Sequence, residues 1–116
     1  MTEMLKVTVD RRHPLAVIYT EGYINNQGGE EIARVAYQLI DDGHKCVLLN
    51  LAGTKIVNSI GISILIEIIE KMLEIDGSLA FCNLTPTIEK TFHIMGLAQY
   101  AKIYSDEGVA LGELAG

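Results

Sequence analysis

Apolar and polar residues alternate along Leu5-Lys6-Val7-Thr8-Val9, the period of two expected of a half-buried strand. Arg11-Arg12-His13-Pro14 makes a turn, and Leu15-Ala16-Val17-Ile18-Tyr19-Thr20 resumes as a second strand, so the chain opens with an antiparallel hairpin. Gly22 breaks the second strand, and Tyr23 to Gly29, with Asn25, Asn26, Gly28 and Gly29, reads as a loop. The period then lengthens. Ile32, Val35, Ala36, Leu39 and Ile40 fall at i, i+3, i+4, i+7 and i+8, the apolar stripe of an amphipathic helix, with Glu30, Arg34 and Asp41 on its other side and Gly43 at its end.

Lys45-Cys46-Val47-Leu48-Leu49-Asn50-Leu51 is a third strand, closed by the turn-type residues Ala52-Gly53-Thr54. Ile60 to Ile75 has helix length and is charged only at Glu67, Glu70, Lys71 and Glu74; Gly77 stops it. Ser78-Leu79-Ala80-Phe81-Cys82-Asn83-Leu84 is a fourth strand. Thr85-Pro86 then pairs an N-cap hydroxyl with proline at the first helical position. That helix points Ile88, Phe92 and Met95 inward and stops at Gly96. Tyr100 to Tyr104 is a short fifth strand, and Ser105-Asp106 caps a last helix carrying Val109, Leu111 and Leu114. The order is β-β-α-β-α-β-α-β-α. It predicts an α/β fold with a mixed sheet of four to five strands, about four helices and right-handed crossovers.

On a helical wheel of about 100° per residue, Ser59, Ser63, Glu67, Glu70 and Glu74 form one stripe that must face water. Ile60, Ile64, Leu65, Ile68, Ile69 and Met72 take the opposite, core side. Ile62, Ile66 and Leu73 flank the polar stripe, either as an apolar docking rim beside an accessible serine or as side chains packed under a neighbouring helix.

Composition narrows the classes. With 116 residues, 49% of them hydrophobic, the chain is expected to form a single domain over residues 1–116. No apolar run approaches the ~20 residues of a membrane span, and Met1 to Lys6 lacks the regions of a signal peptide. A cytoplasmic location without membrane insertion is therefore the expectation. A net charge of −6 and the lack of any Lys/Arg cluster argue against nucleic acid as a partner. Cys46 and Cys82 sit in apolar strands and read as small buried residues. His13, His44 and His93 have no metal-ligand spacing, and the chain lacks a GxSxG elbow, a P-loop and a GxGxxG loop. No catalytic group, metal or cofactor is expected.

Ser59 is the residue with chemistry to offer. It lies where a strand passes into a helix, a joint at which free N–H groups and the helix dipole favour an anion. A serine there can cap the helix, act as a nucleophile if a histidine reaches it, or receive a phosphate.

Val47-Leu48-Leu49-Asn50-Leu51, followed by Ile56-Val57-Asn58-Ser59-Ile60-Gly61, resembles the STAS domain family, named for sulfate transporters and anti-sigma factor antagonists. In that family an apolar strand ends in asparagine or aspartate and D-S-x-G opens a long helix. Gly22-Tyr23-Ile24-Asn25 is similar to the family's glycine and acidic residue after the second strand, and Phe92-His93-Ile94-Met95-Gly96-Leu97 to its later helix and closing Gly-Leu. The likeness extends over essentially the whole chain. It implies a bacterial anti-sigma factor antagonist, a non-enzymatic switch in transcription regulation. Its implied partners are an anti-sigma factor that is also a serine kinase, and a serine phosphatase.

Carried over, Ser59 is the phospho-acceptor, and phosphorylation releases the partner. Asn25, Asn58, Ser59, Ile62, Ser63 and Ile66 are the implied contact residues. Asn58 and Asn25 stand where the family usually has acidic residues; both keep size and hydrogen bonding and remove charge. That either weakens kinase recognition or eases phosphate accommodation. Other members of the family imply two alternatives. One is a non-switching module, a stressosome-like scaffold or the STAS subunit of a phospholipid-trafficking ABC transporter. The other is a sensor of a small molecule or nucleotide.

Overall fold

The computed structural model describes residues 5–115; most of the N-terminal segment read above for a signal peptide lies outside them. The elements are β1 (Lys6–Arg12), β2 (Leu15–Ile24), α1 (Asn26–Asp41), β3 (Cys46–Val57), α2 (Ser59–Glu74), β4 (Ser78–Cys82), α3 (Pro86–Ile94), a 3-10 turn (Leu97–Gln99), β5 (Lys102–Tyr104) and α4 (Glu107–Ala115). They form one five-stranded sheet in the order β1-β2-β3-β4-β5. β1 is antiparallel to β2, and the remaining neighbours are parallel. The mixed sheet and its alternation with helices are as the hydrophobic pattern predicts.

The sheet is covered on both faces, which is why β3 and β4 read as unbroken apolar runs rather than alternating ones. Ala16, Ile18, Val47, Leu49, Leu79 and Phe81 point to the face packed by α1, α2 and α3. Leu15, Val17, Leu48, Ala80 and Cys82 point to the other face, beneath Ala110, Leu111 and Leu114 of α4. On the three-helix face α1 crosses α2 closely: a Cβ on Gly29 would lie 2.7 Å from Ile64 Cδ1. α3 packs much more sparsely against α2.

Two strands run further than their sequences suggest. β2 continues through Gly22, at φ 124°, to Ile24, and β3 continues through Ala52-Gly53-Thr54 to Val57. Shifts of register between Tyr19 and Glu21 and between Glu21 and Tyr23 let the two stay paired across these residues. Gly53 lies against the Thr20 carbonyl, where a Cβ would come within 2.5 Å of the oxygen. The buried hydroxyls of Thr20 and Thr54 hydrogen-bond at 2.7 Å. Because β4 pairs with β3 only from Cys46 to Asn50, and β1 with β2 only as far as Glu21, the ends of β2 and β3 leave the body of the sheet as a two-stranded ribbon.

Smaller differences follow from where elements end. Met95, expected inward, caps the C-terminus of α3 and is exposed, as is Val109 on α4. Cys82 is buried, whereas Cys46 at the start of β3 is only partly so.

Candidate functional site

β2 and β3 end side by side, with Ile24 opposite Val57. Each passes into a helix through one extended asparagine. Asn25 Oδ1 accepts the Gly28 N–H at 2.9 Å, and Asn58 Oδ1 accepts the Gly61 N–H at 2.8 Å. The same Asn-x-x-Gly cap thus opens α1 and α2, satisfying one free donor of each first turn. The glycines are required by proximity: a Cβ on Gly28 would sit 2.5 Å from the Tyr23 carbonyl oxygen, and one on Gly61 would overlap the Ile24 carbonyl oxygen. Two positive helix ends therefore lie next to each other at one edge of the molecule.

Ser59 is the first residue of α2 and is exposed; the cap is Asn58, not Ser59. Its hydroxyl makes no hydrogen bond among the described residues, and its carbonyl accepts the Ser63 hydroxyl at 3.1 Å. Lying in the first turn, the N–H groups of Ser59 and Ile60 have no intrahelical acceptor. Ser63, Glu67, Glu70 and Glu74 are exposed along the same stripe, as the wheel predicts.

The apolar side chains of α2 are distributed differently from expectation at two positions. Ile62, an implied contact residue left open between docking rim and packed side chain, is packed at 3% exposure and offers no contact surface, and Ile60, expected in the core, is 54% exposed. Both stand about 100° from Gly61 on the wheel, and Gly61 is pressed against β2, so the buried arc centres on Gly61, Leu65, Ile68 and Met72. Ile62 falls on the α3 side among the core residues; Ile60 falls on the other side, in the first turn. Ile66 is half-buried, two turns from Ser59.

The exposed apolar residues at this end of the molecule are others. Tyr23 and Ile56 are register partners on the ribbon, 40% and 57% exposed, and Ile60 follows directly after Ser59. A loop over residues 23–29 obscures Tyr23, and a strand closed at Ala52-Gly53-Thr54 obscures Ile56; only their pairing makes them neighbours. Alternation within a longer β2 and β3 is the one signal that could have found them.

Asn50, the asparagine at the end of the apolar run, serves the opposite face. Its Oδ1 accepts the Ala52 N–H at 2.9 Å, and its Nδ2 donates to Glu107 on α4 at 3.0 Å. Burial, then a hydrogen bond and the charge of Glu107, push the Tyr19 phenol up to about 12. Burial, then Glu107 and Asp106, push the Cys82 thiol up to about 12. Both groups are neutral and unreactive at neutral pH. His13 and His44 stack edge to face at 4.8 Å at the other end of the strands, and His93 lies exposed on α3. None is brought to Ser59. Among the described residues no three His, Cys, Asp or Glu are grouped to hold a metal ion, and no helix is long and apolar enough to cross a membrane.

Residues 6–110 match the sequence profile of the STAS domain. BtrV of Bordetella bronchiseptica, whose name proposes it as an anti-sigma factor antagonist, is 23% identical over 79% of this chain and 79% of its own. Among solved structures, an anti-sigma factor antagonist from Mycobacterium paratuberculosis superposes with a TM-score of 0.85 at 17% identity, over 97% of this chain and 95% of that one. The antagonist SpoIIAA in its unphosphorylated form superposes at 0.76 with 15% identity, over 96% and 99% of the two chains. The phosphorylated form of SpoIIAA, from Bacillus, superposes at 0.74 with 18% identity, over 94% and 99%.

Proposed function

The chain belongs to the STAS domain family, and from that premise we propose that it is an anti-sigma factor antagonist switched by phosphorylation of Ser59. The unmodified chain holds an anti-sigma factor that is also a serine kinase, and so frees a sigma factor. Phosphorylation of Ser59 ends the complex, and a serine phosphatase resets it. The switch is a single domain that works by binding, without chemistry of its own, in the cytoplasm.

The observation that carries this reading is the state of the Ser59 hydroxyl. It is exposed, makes no hydrogen bond among the described residues and stands at a helix N-terminus next to the exposed Ile60. A cap role would have engaged it, but Asn58 fills that role. A phosphate adds about −1.5 to −2 charges and three acceptor oxygens. Within the domain, the dipoles of α1 and α2 and the N–H groups of Ser59 and Ile60 tolerate it. Against a partner seated on Tyr23, Ile56 and Ile60, the same charge must be desolvated, which favours release. Asn25 and Asn58 keep carboxylate charge away from the modified serine. The relatives named as antagonists support the reading, and SpoIIAA has both a phosphorylated and an unphosphorylated form.

The test is incubation of the purified chain with ATP and the anti-sigma kinase encoded in the same genome, followed by peptide mass spectrometry. Phosphate on Ser59, and none on Ser59→Ala, is the expected result. A kinase that binds the chain and leaves Ser59 unmodified would instead favour a non-switching scaffold.

A further inference from the structure

α3 packs sparsely against α2, and an apolar groove of about 500 Å³ lies between α2 and the turn that follows α3. Ile66, Ile69 and Leu73 of α2 form one wall, and Met95, Leu97 and Tyr100 from the end of α3 and the turn after it form the other. Leu73, Met95 and Tyr100 are 49%, 48% and 65% exposed, so apolar surface is concentrated here at the far end of α2 from Ser59. Ile69 and Leu97 close the floor at 3% and 1% exposure. Ile66, Ile69 and Leu73 follow the i, i+3, i+7 spacing of two helical turns, about 10 Å of groove.

One rim is acidic. Glu70 lines the groove, with Glu67 and Glu74 a turn either side of it on the exposed stripe of α2. Lys71 lies 3.5 Å from Glu74, while Glu67 and Glu70 meet no cation within salt-bridge reach among the described residues. A second copy of a chain with net charge −6 would bring like charge to this rim.

We propose that the groove between α2 and the turn after α3 is a second docking surface, separate from Ser59, that receives an amphipathic helix with an apolar face flanked by Lys or Arg. The helical repeat of the α2 wall matches apolar anchors at i, i+3 or i+4, and i+7 on such a partner. The basic flank meets Glu70 and Glu67, which sets orientation and excludes acidic helices. Since the groove is some ten residues from Ser59 along α2, about 15 Å, its occupation is independent of the charge state of that serine.

Three synthetic helical peptides of about four turns test this against the ¹⁵N-labelled chain by NMR titration. One has a leucine stripe with lysine flanks, one the same stripe with glutamate flanks, and one the lysines with serine in place of leucine. The expected result is binding of the first alone, at least roughly tenfold tighter than the other two, a difference of about 1.4 kcal/mol. Its shifts should map to Ile66, Ile69, Leu73, Met95 and Tyr100. Leu73→Ser with Met95→Ser, at exposed positions that leave the fold intact by the same spectra, should lose this binding, and Ser59→Asp should keep it. Equal binding of the first and third peptides, shifts centred on Ser59, or a roughly tenfold effect of Ser59→Asp would overturn the proposal. So would binding by none of the three. Self-association abolished by Leu73→Ser would overturn it in favour of a second copy.

Discussion

The backbone N–H of Asn58 donates to the carbonyl oxygen of Ile24 at 3.1 Å, so the start of α2 is anchored to the neighbouring strand. The same carbonyl is what a Cβ on Gly61 would strike. Anchor and close approach together fix the azimuth of α2, and with it the exposure of Ser59.

A first prediction follows for the glycines. Gly61→Ala should destabilise the fold by about 1–3 kcal/mol, the usual cost of overpacking, because the opposing atoms are backbone. Gly112→Ala in α4, with nothing within 4 Å, should instead stabilise it by about 0.5–1 kcal/mol. Urea denaturation of the two variants measures both signs.

At the site itself, Asn58→Ala should cost about 1 kcal/mol through the lost cap, whereas Ser59→Ala should stay within about 0.5 kcal/mol of the parent. Under the proposed function, Ser59→Ala is expected to bind the anti-sigma partner constitutively. Ser59→Asp should bind it more weakly but not lose it, as aspartate has only about half the charge of a phosphate. Calorimetric titration with the partner reads both.

The two isoleucines beside Ser59 and Ser63 should separate cleanly. Ile62→Asp places an unpaired charge in the core at a position 3% exposed and should cost about 3 kcal/mol or more. Ile60→Asp, at 54% exposure, should leave the melting temperature nearly unchanged and abolish partner binding. A thermal melt paired with a binding assay distinguishes them.

Alkaline pH provides another test. Tyr19 and Cys82 ionise near their ordinary values of 10.0 and 9.0 in the unfolded chain and at about 12 in the fold. The unfolded state therefore loses protons first, so stability is full below about pH 9 and falls as pH rises toward about 12. Burial is the largest cause and Glu107 contributes to both shifts. Glu107→Gln should accordingly weaken the loss without removing it, measured as the slope of unfolding free energy against pH.

The stripe of α1 through Ile32, Val35, Ala36 and Leu39, the Thr85-Pro86 start of α3 and the exposure of Ser59 are legible in the sequence because each depends on neighbours three or four residues away. What is not legible depends on another strand. Gly22 and Gly53 read as breaks, since nothing local tells a turn from an irregularity inside a pair of strands. The wheel of α2 lacks an origin until Ile24 meets Gly61, hence the exchange of Ile60 and Ile62 between core and surface.

Past Glu21 and Asn50, only β2 and β3 carry the chain forward to Asn25 and Asn58. An enzyme acting on Ser59 would meet a preformed tip assembled from two segments distant in sequence, not a pliable stretch it can thread into its cleft. A linear peptide copied from around Ser59 would lack Tyr23 and the Ile24 anchor and should be a poor substitute for the intact chain. Unfolding would erase the recognition target along with the fold, so under the proposed function a damaged molecule is neither modified nor bound.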